Sequence, residues 1–401
     1  MTISHAESRG VSCAIPASAA WQGAQAPLEP RSAACSAPGV LLLRQMWGSR
    51  KLTLMSTVFV GLSGGVDSAV SAALLKNGGH TVVGAFIKIW QPEFIECRWR
   101  EDRLDAMRVA AALEIPFREI DLSDEYKRSV ILETVQGYER GSTPNPDVLC
   151  NRHIKFGAFA AWAFSQGADV IATGHYARIE KEGGNLHLAR GFDAAKDQSY
   201  FLWQVTSDML ARTMFPIGHL EKKAVRKIAE DYALPVAKKA DSQGLCFVGD
   251  VTMSDFLSHY SAVTPGPVFD SWGNRIGEHH GAVLYTIGQR HGFFAPKARS
   301  GRPLYVIRID VRSNSLVVSE NAADAARTTC VLTDVNWQST PTAGMPVSVQ
   351  ARYHEKPASA RVFLTPEGAE ISFEMPHVVS PGQSLVMYRG DGIVGGGILA
   401  G

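Results

Sequence analysis

From Thr57 onward the chain alternates short apolar runs with longer mixed stretches. VFVGL (58–62), HTVVGAFIKIW (80–90), PFREIDL (116–122) and ADVIATGHYAR (168–178) read as strands. The stretches 66–77, 102–113, 123–140 and 154–166 read as helices. This alternation predicts an α/β fold, a parallel sheet with helices on both faces. Ligands of such sheets sit beyond the carboxyl ends of the strands, which gathers the Ser63 loop, Ile87 and Gly174-His175 at one rim. A basic amphipathic helix is predicted over 221–232 (EKKAVRKIAEDY), either a solvated face or one that meets RNA. The last hundred residues change to short alternating strands split by turn residues, the pattern of a compact β-barrel. The predicted division is an extension over 1–55, a catalytic domain over 56–250, a small middle domain over 251–304 and a barrel over 305–401.

Composition narrows this picture little. The 401 residues are 45% hydrophobic and 20% charged, and 40 Lys and Arg face 39 Asp and Glu, so no global charge points to nucleic acid. No apolar run approaches a membrane span; the longest near the start, 39–43, ends at Arg44. Six scattered cysteines fit a reducing, cytoplasmic compartment better than a disulfide framework. The extension is rich in Ala, Ser and Pro and reads as disordered. It is either upstream sequence read as coding before Met55 or a transit peptide, the latter implying a mitochondrial location. Cys97 receives no role.

Chemistry begins at Ser63-Gly64-Gly65-Val66-Asp67-Ser68, between a strand and a helix. Gly64 and Gly65 let backbone N–H groups approach an anion, and the helix N-terminus favours it. Ser63 and Ser68 offer hydroxyls, and Asp67 a ligand for nucleotide-borne Mg2+. The lysine of the common G-x-x-x-x-G-K-[ST] loop is missing. A pyrophosphate cradle without it suits cleavage between the α and β phosphates, that is, adenylation of a substrate.

Two cysteines follow. In STPNPDVLCNRHIKFG (142–157), Pro144 and Pro146 stiffen the approach to a helix and hold Asn145, Asp147 and Cys150. Near a helix start the Cys150 thiolate is expected to be favoured; a small buried thiol is the alternative. In KKADSQGLCFVGD (238–250), Gly244 and Gly249 flank Cys246, the composition of a mobile loop, and the cations Lys238 and Lys239 precede it, charges that lower a thiol pKa where they reach it. Adenylation creates a leaving group that a sulfur nucleophile can displace, so the loop and the two thiols together suggest sulfur insertion. A basic stripe at Arg290, Lys297, Arg299, Arg302 and Arg308 suits RNA phosphates.

With GLSGGVDS (61–68), TPNPDVLCNRHIKF (143–156), ATGHYAR (172–178), KDQSYFL (196–202), DSQGLCF (241–247), YTIGQRHG (285–292) and SPGQSLVMY (380–388) in order, the chain resembles the tRNA-specific 2-thiouridylases, the MnmA/TrmU family of ATP-pyrophosphatase-loop enzymes. The resemblance spans 56–401. It implies that Gly61, Leu62, Ser63, Gly64, Gly65, Val66, Asp67, Ser68, Ile87 and Gly174 bind ATP with Mg2+. Ile87 stands where many relatives have Met, an apolar exchange that preserves adenine packing. Asn145, Pro146 and Asp147 would meet the wobble uridine, with Asp147 as general acid/base and Cys150 as nucleophile. Cys246 would carry the persulfide and join Cys150 in a transient disulfide. His175, Lys196, Asp197, Gln198, Arg352, Tyr353 and Gln383 would touch the tRNA.

The implied activity is ATP-dependent 2-thiolation of uridine 34 in the tRNA anticodon stem-loop, yielding AMP and pyrophosphate. A persulfide donor protein or cysteine desulfurase is the implied partner, with no membrane. Three rivals remain: an amide-forming ligase with the same loop, an RNA-binding module with a dead loop, and an iron–sulfur cluster held by Cys150, Cys246 and Asp147 as sulfide source. The cluster-free route is favoured, with no resident metal.

Overall fold

The computed structural model describes residues 55–94, 99–241, 251–296 and 301–401. Strands β1 (Thr57–Gly61), β2 (Thr81–Lys88), β3 (Phe117–Asp121), β4 (Val170–Ala172) and β7 (Thr213–Met214) form a parallel sheet in the order β3-β2-β1-β4-β7. The chain winds outward from β1 to β3 and then returns to β1's other side as β4. The crevice between the carboxyl ends of β1 and β4 is thus the switch point where such sheets hold ligands. Helix α1 (Val66–Asn77) rises directly from β1, and its buried Ala69, Val70 and Ala73 pack in one core with Val225 and Ala229 of the 222–231 helix.

α2 (Trp99–Ala112) packs into the same core as α1 through Ala106, Val109 and Ala110, and the sheet's other face is covered by the composite helix α4 (146–165), with a second one, α3 (123–139), packed beside it. Each carries a stretch of wide turns closed i→i+5, at Lys127–Leu132 and Cys150–Ala158. α4 begins eight residues before the predicted 154. Pro144 and Pro146 read as breakers, yet Pro146 occupies the first helical turn, where its missing N–H costs nothing. ADVIATGHYAR is also not one strand. After Ala172 the chain turns and continues as β5 (Ala177–Glu182), which pairs with β6 (Asn185–Arg190).

The middle unit is a five-stranded sheet of β8 (Gly266–Phe269), β9 (Arg275–His279), β10 (Phe293–Phe294), β11 (Tyr305–Asp310) and β12 (Ser315–Ser319). Here the expected boundary at 304/305 is corrected. The 305–319 hairpin pairs through β12 with β8 and buries Val306, Leu316 and Val318 in the middle core. The pairing partner decides its sheet, and strand alternation alone does not name that partner. The barrel proper is β13 (Ala326–Trp337), β14 (Met345–Gln350), β15 (Ala358–Thr365), β16 (Gly368–Val378), β17 (Ser384–Arg389) and β18 (Gly392–Leu399), closed by β13–β18 pairing. The β5–β6 hairpin extends its sheet at Gly392–Ala189. Val386, Tyr388 and Ile393 of the barrel share a core with Phe159, Tyr200 and Trp203, so barrel and α/β unit are packed together.

Candidate active site

Gly64 sits at φ +76°, a region costly to any side chain, and a Cβ there would lie 2.3 Å from the Asp102 carbonyl oxygen. The loop therefore presses against α2 at the N-terminus of α1. Ser68 is buried; its Oγ accepts from the Ser63 N–H (3.2 Å) and donates to the Gly65 carbonyl (3.1 Å). Of the two serines expected to donate to a phosphate, Ser68 is committed to shaping the loop and Ser63 is exposed beside it. Leu62 and Val66 have core side chains, so only their backbone can meet a nucleotide. Gly174, at the end of β4, closes the crevice: a Cβ there would fall 2.7 Å from the Ser68 nitrogen. Ile87, half-buried at the end of β2, packs beside Gly61.

A lysine reaches the loop from another element. Lys222 opens helix α5 (Lys222–Asp231), and its Nζ donates to both Asp67 carboxylate oxygens at 2.8 and 2.9 Å. Tyr176 Oη donates to Asp67 Oδ1 at 2.8 Å. Lys222 also pairs with Asp241 at 2.9 Å, as do Lys196 (2.9 Å) and Arg226. Desolvation alone would raise the Asp241 carboxyl, but hydrogen bonds and charge from Lys196 and Lys222 outweigh it and hold it well below its usual range. The basic helix is therefore neither a solvated face nor an RNA face on this side: Lys222 and Arg226, one turn apart, are wired into the phosphate loop. Lys239, expected to act on Cys246, is paired with Asp102 and Asp105 at 2.7 and 2.8 Å.

The Cys150 half of the site has the opposite character. Asn145 caps α4, its Oδ1 accepting from the Asp147 and Val148 N–H groups at 3.0 and 3.3 Å. Asp147 and Cys150 follow three residues apart. Cys150 is 3% exposed, packed with Tyr126, Ile131, Ile154 and Phe256. Burial pushes its thiol up to about 11 despite Lys155 and a hydrogen bond from Tyr126. The expected helix-start thiolate is thus corrected: Cys150 lies beyond the first turn, where the dipole fades, and desolvation wins.

The two halves are joined through Gly174-His175, with Gly174 against the Ser68 nitrogen and His175 against Lys155. His175 is buried, its Nδ1 lies 2.8 Å from Thr173 Oγ1, and its Nε2 lies 3.3 Å from Lys155 Nζ. Burial, then the Lys155 charge, push its pKa well below the usual histidine value. The imidazole is therefore neutral, and Nε2 accepts from the ammonium. The remaining residues expected at the RNA are engaged within the protein, and Arg352 and Tyr353 join units. Asp197, buried, accepts from Gly191 N–H, Ser199 N–H and Arg190. Gln198 Oε1 accepts from Tyr176 N–H (3.0 Å), and Arg352 donates to the Ile287 carbonyl of the middle unit (2.8 Å). Tyr353 packs on Phe201 at 4.4 Å, and Gln383 Oε1 accepts from Ser380 N–H. Asp197, Tyr353, Gln350 and Glu355 nevertheless line an open cleft of about 420 Å³ between the α/β unit and the barrel. The 142–150 loop lies where all three units converge: the Thr143 N–H donates to Pro381 (2.7 Å), and its Oγ1 lies 3.4 Å from that of Thr286.

Cys246 and Cys97 lie outside the described residues, as do 1–54, Lys297 and Arg299. Arg290, Arg302 and Arg308 are exposed. The described chain stops at Asp241, in the Lys222 knot at the phosphate loop, and resumes at Val251, packed on the core that holds Cys150. Among the described residues no group of three or more His, Cys, Asp or Glu is arranged to hold a metal, and no helix is long and apolar enough to cross a membrane. Sequence reading missed Lys222, Tyr176 and Lys155. The i, i+4 pair Lys222–Arg226 was the one available signal, since it marks a single basic face.

Three family models match in succession: a tRNA methyl transferase HUP domain over 56–250, a tRNA methyl transferase PRC-barrel domain over 254–320 and an aminomethyltransferase beta-barrel domain over 327–399. A tRNA-specific 2-thiouridylase MnmA from Akkermansia muciniphila is 44% identical over 350 residues, covering 86% of this chain and 98% of its own. One from Nitrosomonas eutropha is 42% identical over 354 residues, with 86% and 98% covered. Among solved structures, the U34-tRNA thiolase NcsA from Methanococcus maripaludis with its [4Fe-4S] cluster overlaps at 17% identity and TM-score 0.34 over 55% of this chain and 68% of that one, too loosely to carry a conclusion. With relatives above two-fifths identity that cover 86% of this chain, the chain belongs to the tRNA-specific 2-thiouridylase family.

Proposed function

We propose that this protein uses ATP to replace the C2 oxygen of the wobble uridine, position 34 of a tRNA, with sulfur. The observation that carries the reading is where the described residues on either side of Cys246 lie. Its described flanks are Asp241, tied through Lys222 to Asp67, and Val251, packed in the Cys150 core. The phosphate loop and the second thiol pocket are thus ten residues apart along one segment.

The loop fits a pyrophosphate group: N–H groups at a helix start, a glycine pinned by backbone, and a cation on a neighbouring helix. Lys222 and the loop N–H groups hold the β and γ phosphates of the ATP substrate. Mg2+, when bound, neutralises phosphate charge, and Asp67 is the residue that would hold it. The uridine O2 attacks the α phosphorus, pyrophosphate departs, and the base becomes O2-adenylated. The terminal sulfur of a Cys246 persulfide adds at C2, Asp147 moves the proton, and AMP leaves with the old oxygen. Cys150 as thiolate then attacks the Cys246 sulfur, forming a disulfide and releasing 2-thiouridine. An external thiol reduces that disulfide, and a persulfide donor protein or cysteine desulfurase reloads Cys246. Pulling one base from a single-stranded loop costs a few kcal/mol, and the cleft beside Tyr353 together with Arg290, Arg302 and Arg308 offers RNA a surface. A reducing cytoplasm suits two working thiols.

Mass analysis of tRNA nucleosides after incubation with ATP and a persulfide source tests this. The expected product is 2-thiouridine at position 34, lost in Cys150→Ser and Cys246→Ser while pyrophosphate release persists. Thiolation surviving both changes, or no tRNA-dependent pyrophosphate release, would sink it. Anaerobic purification with an absorption spectrum tests the cluster route separately.

A further inference from the structure

α4 departs from ordinary helical winding at Cys150. At 3.6 residues per turn, a residue five positions on points about 140° away. Closing the turns i→i+5 instead brings it round toward the starting face. Wide turns run from Cys150 to Ala158, so Lys155 comes onto the Cys150 side and not onto the outer surface. Its ammonium is seated at 3.3 Å on His175 Nε2, whose other nitrogen is engaged by Thr173. The groups facing Cys150 are few. Asp147 on its own helix opposes a sulfur anion, Tyr126 from α3 donates to it, and Tyr138 in the same core stays neutral, its hydroxyl pushed up to about 12 by burial. Among the described residues, Val130, Ile131, Leu149, Ile154, Phe256 and Leu257 add apolar wall and no charge. Lys155 is therefore the cation that acts on this sulfur.

We propose that Lys155 is a positioning cation, held by the neutral imidazole of His175, that stabilises the anionic sulfur of Cys150 when it reacts. The proposal deepens the function above, in which Cys150 must act as a thiolate inside a dry pocket. It also gives His175 a role in holding Lys155, apart from any contact with RNA. A cation in low dielectric acts strongly on a nearby anion, and the same dryness makes Cys150 inert until it is used.

The test uses the full chain without RNA or ATP. Methyl methanethiosulfonate modification of Cys150 is followed by peptide mass spectrometry across pH, with Cys330 on the barrel as internal control. Lys155→Met should slow Cys150 modification by about tenfold for each unit its pKa rises, displace the rate curve to higher pH, and leave Cys330 unchanged. Lys155→Arg, which keeps the charge, should restore most of the rate. A merely structural role predicts the opposite sign, because a loosened pocket is modified faster. Equal or faster modification in Lys155→Met, or Lys155→Arg as slow as Lys155→Met, overturns the proposal. Failure of the wild-type protein to thiolate tRNA would instead count against the proposed function, since this readout needs no substrate.

Discussion

The phosphate loop and the Cys150 pocket border the same Gly174-His175 pair yet solve opposite problems. Around Asp67 the polar groups are bonded to one another: Lys222, Tyr176, Asp241, Arg226 and Lys196 form one knot in which three cations face two carboxylates. Around Cys150 the wall is apolar, the thiol is protonated, and among the described residues Lys155 is the cation whose charge favours its anion. A triphosphate needs a rigid, charged receptor, because reorganising dipoles at the moment of binding is costly. A thiol that must wait for an adenylated base is safer kept dry, since exposed thiolates oxidise. One half is preorganised for arrival; the other is protected until use.

The largest effect should come from breaking the rigid half at its tightest point. Gly64→Ala places a methyl against the Asp102 carbonyl at a backbone angle that disfavours side chains. Strain of about 3 kcal/mol or more corresponds to a loss of about a hundredfold or more in ATP turnover. It is read as tRNA-dependent pyrophosphate release, with modification of Cys150 unaffected. Lys222→Ala comes next. Losing charge-assisted bonds of about 1.5–3 kcal/mol should lower pyrophosphate release by roughly ten- to a hundredfold. Cys150 modification should again stay put; if both fall together, the two halves are not separable as described.

How much of this contrast was legible beforehand depends on the kind of contact. The Gly61–Ser68 loop and the parallel sheet announce themselves, because a strand, glycines and a helix start are contiguous in sequence. The ordered motifs carried the family reading. Lys222 was seen only as one charge in a basic helix, for its partner Asp67 lies 155 positions away and charge patterning names no partner. For Cys150 the sequence leaves thiolate and buried thiol open, because helix start and burial pull oppositely; the burial that decides it comes from Tyr126 and Phe256, which no local pattern links to it. The 305–319 hairpin was misassigned for the same reason: alternation fixes a strand, not its neighbour.

Acid should sharpen the comparison in stability. Asp241 has its carboxyl held below the unfolded value of 3.8, so the Lys222 knot stabilises the fold at any pH above that value. That contribution is lost as pH falls through the lower, folded-state pKa. Asp241→Asn should therefore lower the melting temperature by a few degrees, for about 1–2 kcal/mol. The gap from wild type should stay constant above about pH 5 and narrow under more acid conditions. Differential scanning calorimetry across pH measures it. A gap that instead widens in acid would mean that Asp241 is not ionised in the fold.

The smallest change isolates the loop's shape from its charge. Ser68 was expected to reach a phosphate, but its Oγ bonds the Ser63 N–H and the Gly65 carbonyl and is buried beneath the loop. If it only shapes the cradle, Ser68→Ala costs about 1 kcal/mol, a KM for ATP raised about fivefold with kcat nearly kept. Ser68→Cys, close in size but a poor donor, should behave alike. If the hydroxyl swings out to the nucleotide during turnover, kcat falls with kcat/KM instead, because the bond would then exist only in the transition state. Steady-state pyrophosphate release at varied ATP separates the two. The buried position of Ser68, with its donor and acceptor sites both used, argues for the first: a preorganised receptor spends its serines on holding the backbone still.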